Sequence, residues 1–234
     1  MKPDLITFDC AQTLLEVSWE PGAFAMECAK HAGLDLDEAA AALYSSLYHG
    51  RLREYQEINL TRDPEKCALF WTQLTSDWLE GLGYDAEWLP RVEEAAAELG
   101  LGPESSIFKV YEDVVPCLDR LAADGVRLAV ISNWDYSLHH ILRSLNLYDR
   151  FELVVASLEE GFEKPDPRIF LQTLEKLGVE PSNAAHIGDN TIDDLNGARN
   201  VGMRALLVDR KLKSPSRPYI SSLTQIPEAL EWSA

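Results

Sequence analysis

The 234-residue sequence lacks long apolar runs, and this absence excludes a helix that crosses a membrane. Its unbroken apolar stretches, such as residues 128–131, fall far short of the roughly 18 residues that a transmembrane helix needs. No apolar segment follows a basic start at the amino terminus, so the sequence shows no secretory signal. A cytoplasmic location is therefore expected, with no membrane partner.

Cysteine is scarce as well, and the four cysteines lie far apart without a Cys-x-x-Cys pair. This spacing excludes a disulfide framework and a paired-thiolate zinc site, and it favours a reducing compartment. Positive charge is also in short supply, because 21 Lys and Arg stand against 39 Asp and Glu, for a net charge of −18. Such a chain repels nucleic-acid phosphates, so no nucleic-acid partner is expected, although a bound metal ion can reverse the sign locally.

The pattern of apolar residues predicts two kinds of segment. Residues 4–8 have the pattern of a short buried strand, and about 21–99 that of four helices, with stop signals at Gly33, Gly81, Gly83 and Gly100. From about residue 105, predicted helices at 114–123, 135–145, 167–177 and 192–201 alternate with strands at 127–132, 152–156, 184–187 and 204–208. This alternation predicts right-handed βαβ units around a parallel sheet that is covered on both faces.

The first predicted strand needs sheet partners, and only the carboxy-terminal half of the chain supplies them. Residues 1–15 and 105–234 are therefore predicted to form one α/β domain with a doubly wound parallel sheet. Residues 16–104 are predicted to be a separate helical domain, inserted in the first crossover of that sheet. No oligomeric state is predicted.

Polar residues stand where four of the predicted strands end. Asp9, Ser132-Asn133 and Asp189 each follow a strand directly, and Lys164 lies just beyond a fourth. One such residue alone is more often a helix N-cap, but the carboxyl ends of parallel strands meet at one edge, where ligands bind. Two carboxylates and a lysine at that edge predict a Mg²⁺-assisted phosphoryl site, in which a carboxylate can also serve as nucleophile.

These residues resemble the four motifs of the haloacid dehalogenase-like (HAD) superfamily. The family's first motif is Asp-x-Asp-x-Thr after an apolar strand, and residues 8–15 read Phe-Asp-Cys-Ala-Gln-Thr-Leu-Leu. The other three correspond to Ser132-Asn133, to Lys164-Pro165-Asp166-Pro167, and to His186-Ile187-Gly188-Asp189-Asn190 through Asp194. The four motifs occur in the family's order along the whole chain. The residues around the second and fourth motifs are similar to those of the haloacid dehalogenase-like hydrolase domain-containing protein 3 group.

The resemblance implies a Rossmann-like core with an α-helical cap, and a Mg²⁺-dependent hydrolase that acts on a small phosphorylated metabolite through an aspartyl-phosphate. It implies Asp9 as nucleophile and metal ligand, joined at the metal by the Ala11 carbonyl and Asp189, with Asp194 acting from farther out or through water.

The remaining motif residues receive supporting roles from the same resemblance. Thr13 would brace the Asp9 loop, Ser132 and its neighbour Asn133 would form the phosphoryl-binding motif, and Lys164 would pair with both Asp9 and the phosphoryl group.

The sequence departs from the family pattern at position 11, where family phosphatases carry the Asp that acts as general acid and base. Ala11 can do neither, and such help is typically worth 10²–10⁴-fold in rate. Aryl or acyl phosphates, whose leaving groups depart without a proton, are therefore the favoured substrates. Gln12, where Gly is usual, is a second departure.

Three alternatives remain open. A non-catalytic family member would bind a phosphorylated ligand or a protein partner. The phosphonate-cleaving branch has Ala at this position but needs a cap lysine. The 2-haloacid dehalogenase branch carries Tyr there and lacks the metal-binding Asp that this chain keeps as Asp189.

Overall fold

The computed structural model describes residues 1–101, 105 and 107–232. The chain divides into two compact units, of which the α/β unit comprises Met1–Glu16 and Val110–Ala234, and the helical unit comprises Val17–Lys109. The sequence predicted boundaries after residues 15 and 104, and residue 104 lies outside the described residues. None of the described helices is both long enough and apolar enough to cross a membrane.

A six-stranded parallel sheet with the order β5-β4-β1-β6-β7-β8 lies at the centre of the α/β unit. The strands, in chain order, are β1 (Leu5–Phe8), β2 (Leu15–Val17), β3 (Phe108–Val110), β4 (Arg127–Ser132), β5 (Leu153–Ala156), β6 (Ala184–Gly188), β7 (Arg204–Val208) and β8 (Tyr219–Ile220). Strands β2 and β3 pair with each other. The α/β class that the alternating pattern predicted is confirmed.

The register of the sheet aligns the ends of its central strands. Phe8 at the end of β1 is paired with Val130 of β4 on one side and with Ile187 of β6 on the other. These strands are apolar and buried along nearly their whole length, as expected for a sheet with both faces covered. The residues that follow β1, β4 and β6 therefore reach the same edge of the sheet.

Helices follow the start and stop signals closely. They are α1 (Pro21–Ala32), α2 (Glu38–Gly50), α3 (Leu52–Asn59), α4 (Pro64–Gly81), α5 (Leu89–Leu101), α6 (Val114–Ala123), α7 (Ser137–Ser144), α8 (Ser157–Glu160), α9 (Pro167–Leu177), α10 (Gly197–Asn200) and α11 (Ile226–Ala229). Helix α1 ends at Gly33, whose φ of 97° is the left-handed conformation that glycine adopts without strain. Asp63 caps α4 by accepting hydrogen bonds from two backbone N–H groups of its first turn.

The helical prediction missed α3, α8 and α11. Helix α3 begins directly after Arg51 without a side-chain cap and so carries no start signal. The helix predicted over 192–201 is observed at residues 191–200, where a π-helical turn, Thr191–Asn196, leads into the short α10. Such wide turns hold an extra residue and often occur at functional sites.

Aromatic side chains fill the core of the helical unit. Trp78 of α4 is fully buried, donates a hydrogen bond of 2.8 Å from Nε1 to the carbonyl of Ala40, and meets the Tyr44 ring edge to face at 5.3 Å. Trp71 stacks on Tyr48 with ring centroids 5.7 Å apart. The Trp78 indole thus supplies both apolar area and a satisfied polar group, which is how tryptophan is usually buried.

Candidate active site at the carboxyl edge of the sheet

Asp9 stands at the centre of the site, directly after β1. Its Oδ1 accepts a hydrogen bond of 3.0 Å from the Ser132 hydroxyl at the end of β4 and one of 2.6 Å from the Lys164 ammonium. All three side chains are buried. The sequence separation between these partners shows that the parallel register, and not local structure, brings them together.

Lys164 links Asp9 to a second carboxylate, because its Nζ also lies 2.6 Å from Asp194 Oδ1. Burial alone would lower the pKa of Lys164, but the charges of Asp9 and Asp194 outweigh it and raise the pKa above its usual value. Burial likewise opposes ionisation of Asp194, yet hydrogen bonds from His186 and Lys164 hold its pKa well below the usual range. The pair is therefore an ammonium and a carboxylate in the folded protein.

Asn133 fixes the backbone that carries Lys164. Its Nδ2 donates to the Lys164 carbonyl at 2.9 Å, and its Oδ1 accepts from the Lys164 N–H at 2.8 Å. The Lys164–Pro165 peptide is cis, and α9 begins two residues later with Asp166 as its N-cap. The motif Lys-Pro-Asp-Pro thus ends in a helix start, which anchors the loop that presents the lysine.

Asp189 adds a third carboxylate that is exposed at the edge of the sheet. One oxygen each of Asp9, Asp189 and Asp194 lie within 4.8 Å of one another. Partial burial, together with the charges of Asp9 and Asp194, raises the pKa of Asp189 to about 6. With three carboxylates and one ammonium, the cluster carries an excess of negative charge at neutral pH. Hard oxygen ligands and uncompensated negative charge are the features that Mg²⁺ requires, so these residues fit that ion.

Gly188 makes room for the Asp194 carboxylate. A Cβ at position 188 would lie 2.1 Å from Asp194 Cγ, far inside any real contact distance. The π-helical turn then carries Asp194 back over the end of β6, where its Oδ2 accepts a 2.9 Å hydrogen bond from the Asn190 N–H. The glycine in the fourth motif therefore meets a steric requirement.

The loop after Asp9 differs in detail from what the resemblance implies. Ala11 forms a backbone bridge with Leu15, and Gln12 adopts the left-handed conformation at φ 57°, which explains why glycine is usual at this position. Thr13, expected to brace the loop, has a buried Oγ1 with no hydrogen-bond partner among the described residues. Its carbonyl accepts a 2.8 Å hydrogen bond from Arg210 instead.

Sequence reasoning missed Arg210 and its partners. Both Asp113 oxygens accept from Arg210 Nη1 at 2.8 Å, and the guanidinium lies 3.9 Å from the centre of the Tyr111 ring. The Tyr111 hydroxyl donates to Gln12 Oε1 at 3.0 Å. These residues support the loop from positions far along the chain, so no local pattern could have identified them.

The fold and the edge of the sheet define a class of protein. The model of the haloacid dehalogenase-like hydrolase family matches residues 3–202, a range that includes the sheet edge with Asp9, Ser132, Lys164, Asp189 and Asp194. The chain belongs to this family. The residues around two of the motifs predicted a likeness to the haloacid dehalogenase-like hydrolase domain-containing protein 3 group. This prediction is confirmed.

Three known proteins illustrate the relationship. Haloacid dehalogenase-like hydrolase domain-containing protein 3 of Bos taurus is 30% identical, over 97% of this chain and 94% of its own. The glyceraldehyde 3-phosphate phosphatase of Methanopyrus kandleri is 30% identical, over 88% of this chain and 83% of its own. The crystal structure of a 2-haloacid dehalogenase from Pseudomonas syringae is 26% identical with a TM-score of 0.64, covering 98% of both chains.

Proposed function

We propose that the protein is a Mg²⁺-dependent phosphatase of a small phosphorylated metabolite, which acts through an aspartyl-phosphate on Asp9. The observation that carries the proposal is the Lys164 ammonium, which lies 2.6 Å from both Asp9 and Asp194. A lysine shared in this way holds the nucleophile and supplies positive charge where a phosphoryl group would enter. Family membership and a relative named as a phosphatase support the same reaction class.

The two oxygens of Asp9 have different surroundings, which supports Oδ2 as the attacking atom. Oδ1 accepts from Ser132 and Lys164, whereas no described residue donates a hydrogen bond to Oδ2. In the proposed first step Oδ2 forms a bond to phosphorus and the bond to the leaving-group oxygen breaks. In the second step water attacks the phosphorus, the bond between phosphorus and Oδ2 breaks, Asp9 is released as a carboxylate, and a proton of the water passes to solvent.

Asp9 and Asp189 would hold the metal, with the Ala11 carbonyl as a further ligand and Asp194 behind them. When bound, Mg²⁺ would neutralise phosphoryl oxygens that this acidic cluster repels. Ser132 and Lys164 keep Asp9 oriented throughout, because both reach it from buried positions.

Ala11 restricts the substrates that this site can use. Without a carboxyl group at position 11, no proton is delivered from there to the leaving oxygen, so aryl and acyl phosphates are favoured over alkyl phosphates. We also propose that the helical unit is a cap that selects the substrate, and that the protein works in the cytoplasm without a nucleic-acid or membrane partner.

The test is hydrolysis of a panel of acyl, aryl and alkyl phosphates, with Mg²⁺ and with EDTA. Asp9→Asn should lower turnover about 10³-fold or more, as expected for loss of a nucleophile. The matched control is Asp149→Asn, because Asp149 is an exposed aspartate of the same unit. Borohydride reduces an aspartyl-phosphate to homoserine with loss of phosphate, so mass spectrometry after reduction should find homoserine at position 9.

Three other results would each favour one of the alternatives. A folded wild type that binds Mg²⁺ but hydrolyses no phosphate would favour the non-catalytic alternative. The lack of a carboxyl group at Ala11 supports this alternative. Halide release from a 2-haloacid would favour dehalogenation, which the structural likeness supports but the carboxylate of Asp189 does not. The phosphonate-cleaving alternative predicts a Schiff-base lysine that borohydride would trap with substrate.

A further inference from the structure

We propose that His186 is a positioning residue of this site, which holds the Asp194 carboxylate and, through it, the Lys164 ammonium. The inference rests on the function proposed above and gives a role to a histidine that lies in the fourth motif but takes no part in that reaction. His186 is the third residue of β6 and is fully buried. A buried imidazole in a central strand needs partners for both ring nitrogens.

Both nitrogens of His186 have such partners. Nδ1 lies 2.7 Å from Oγ1 of Thr7, the residue paired with it in β1, and Nε2 lies 3.0 Å from Asp194 Oδ1. An ionised carboxylate only accepts hydrogen bonds, so Nε2 carries the hydrogen and Nδ1 accepts from the Thr7 hydroxyl. Burial lowers the pKa of the imidazole, which fits a neutral ring with this tautomer.

The imidazole completes the set of donors that fixes Asp194. Oδ1 accepts from Lys164 and His186, and Oδ2 accepts from the Asn190 N–H. Without the Nε2–H donor, rotation of the carboxylate would be limited only by the lysine and one backbone group. The ammonium would then follow Asp194 away from Asp9, and small displacements of this kind lower reaction rates strongly.

The surroundings of His186 leave it no alternative position. The Phe170 ring meets the imidazole edge to face, with centroids 5.2 Å apart and planes at 84°. Phe170 is itself fully buried against α10, where a Cβ at Gly197 would lie 2.9 Å from its ring and 3.2 Å from Pro165 Cα. The packing that holds the imidazole therefore also contacts the residue after Lys164.

Two amide variants separate positioning from simple packing. The amide nitrogen of His186→Gln reaches the place of Nε2, whereas that of His186→Asn reaches only the place of Nδ1. We expect His186→Asn to lower kcat about 10–100-fold with KM little changed, as for other residues that orient ligands, and His186→Gln to restore most of the loss. The control is His140→Asn, an exposed histidine of the same unit.

Equal losses of kcat in the Gln and Asn variants, or a loss that merely follows the fraction of unfolded protein, would overturn the inference. If His186→Asn does not fold, His186→Met carries the test, because methionine has the length of glutamine without an N–H donor. We then expect kcat to fall in His186→Met and to stay near the wild-type value in His186→Gln, and equal kcat values in these two variants would overturn the proposal.

A separate readout distinguishes failure of this inference from failure of the phosphatase proposal. The ¹⁵N resonance of the Lys164 ammonium reports its pairing without any turnover. It should move in His186→Asn and stay near the wild-type position in His186→Gln. A wild type without activity but with this pattern would contradict only the phosphatase proposal, whereas an active wild type with an unmoved resonance would contradict only the role of His186.

Discussion

The two units of the chain bury very different side chains. Among the described residues, the buried polar side chains of the helical unit are Asn59 and Thr75. Those of the α/β unit include four ionisable groups of the candidate site, and the full set is Thr7, Asp9, Thr13, Ser132, Ser157, Lys164, Thr173, His186 and Asp194. Burial in the helical unit is almost wholly apolar and aromatic, whereas the α/β unit also buries charge.

The difference indicates that the α/β unit buries charged groups for a role other than stability. Asn59 is satisfied within its own helix, by the carbonyl of Tyr55 at 2.8 Å. Asp9 and Lys164 find their partners only across the sheet, and replacing such buried ionic groups by apolar residues is often neutral or stabilising. The charged network therefore indicates a site, while the aromatic core of the helical unit indicates packing alone.

The largest effect should come from adding a carboxylate to the α/β unit. Ala11→Asp should raise turnover of alkyl phosphates about 10²–10⁴-fold, because it supplies the missing general acid, and should change aryl phosphates much less. Steady-state kinetics on matched alkyl and aryl esters would measure this. Ala11→Asn is the control of equal size, and an equal gain in both variants would exclude proton transfer as the cause.

Removing charge from the same network should have the next largest effect. Lys164→Met leaves Asp9 and Asp194 buried without their shared cation, so the free energy of unfolding should fall by about 3–5 kcal/mol. Urea unfolding would measure the change, with the exposed Lys213→Met as control. A loss no larger than in that control would show that the buried charges do not depend on the lysine.

A large loss of stability in the helical unit should leave the metal site intact. Trp78→Ala removes a fully buried indole and should cost about 3–5 kcal/mol. Leu69→Ala in the same helix, where Leu69 is 64% exposed, should cost no more than about 0.5 kcal/mol. Calorimetry should give the same Mg²⁺ affinity for both variants in the folded state. Weaker binding by Trp78→Ala would show that metal binding depends on the packing of the helical unit.

Metal binding should depend on the exposed carboxylate of the α/β unit. Asp189→Ala should weaken Mg²⁺ binding at least about tenfold, the size typical of changes at a metal site. Isothermal titration calorimetry on both proteins tests this, with Asp149→Ala as control. Equal affinities would remove Asp189 from the ligand set.

The smallest effect concerns pH. The pKa of Asp189 is raised to about 6 in the folded protein, so the apo protein should lose stability as pH rises from about 4 to 6. In EDTA above pH 7, Asp189→Asn should therefore be more stable than wild type by about 1 kcal/mol, since solvent screens an exposed group. Urea unfolding from pH 4 to 8 should show the difference vanishing near pH 4. A difference independent of pH would contradict the assignment.

Local patterns were sufficient for most of the fold. Five predicted strands lie within one residue of the observed bounds, because buried parallel strands are continuous apolar runs. Strand β8 escaped prediction because two residues at a sheet edge have no periodicity. The π-helical turn escaped because its sequence, Thr-Ile-Asp-Asp-Leu-Asn, fits an ordinary helix start equally well.

The candidate site was predictable only in part. Strand ends and motif order indicated Asp9, Ser132, Lys164 and Asp194, which the parallel register does bring together. His186 lies in the fourth motif, but the motif did not predict a role for it, because a histidine inside an apolar strand resembles any buried polar residue. The contact of Arg210 with the Thr13 carbonyl joins residues far apart in the chain, and it arises only from tertiary packing.

The residues at positions 188 and 194 constrain each other's size, both in evolution and in protein design. The space that a side chain at 188 would need is already filled by the carboxyl group of Asp194. A single methyl group there would push that carboxylate aside without deleting any polar atom of the network. Position 188 can therefore diversify only in a lineage that has first accepted a smaller residue at 194, and a designer who wishes to reshape this rim has to begin elsewhere.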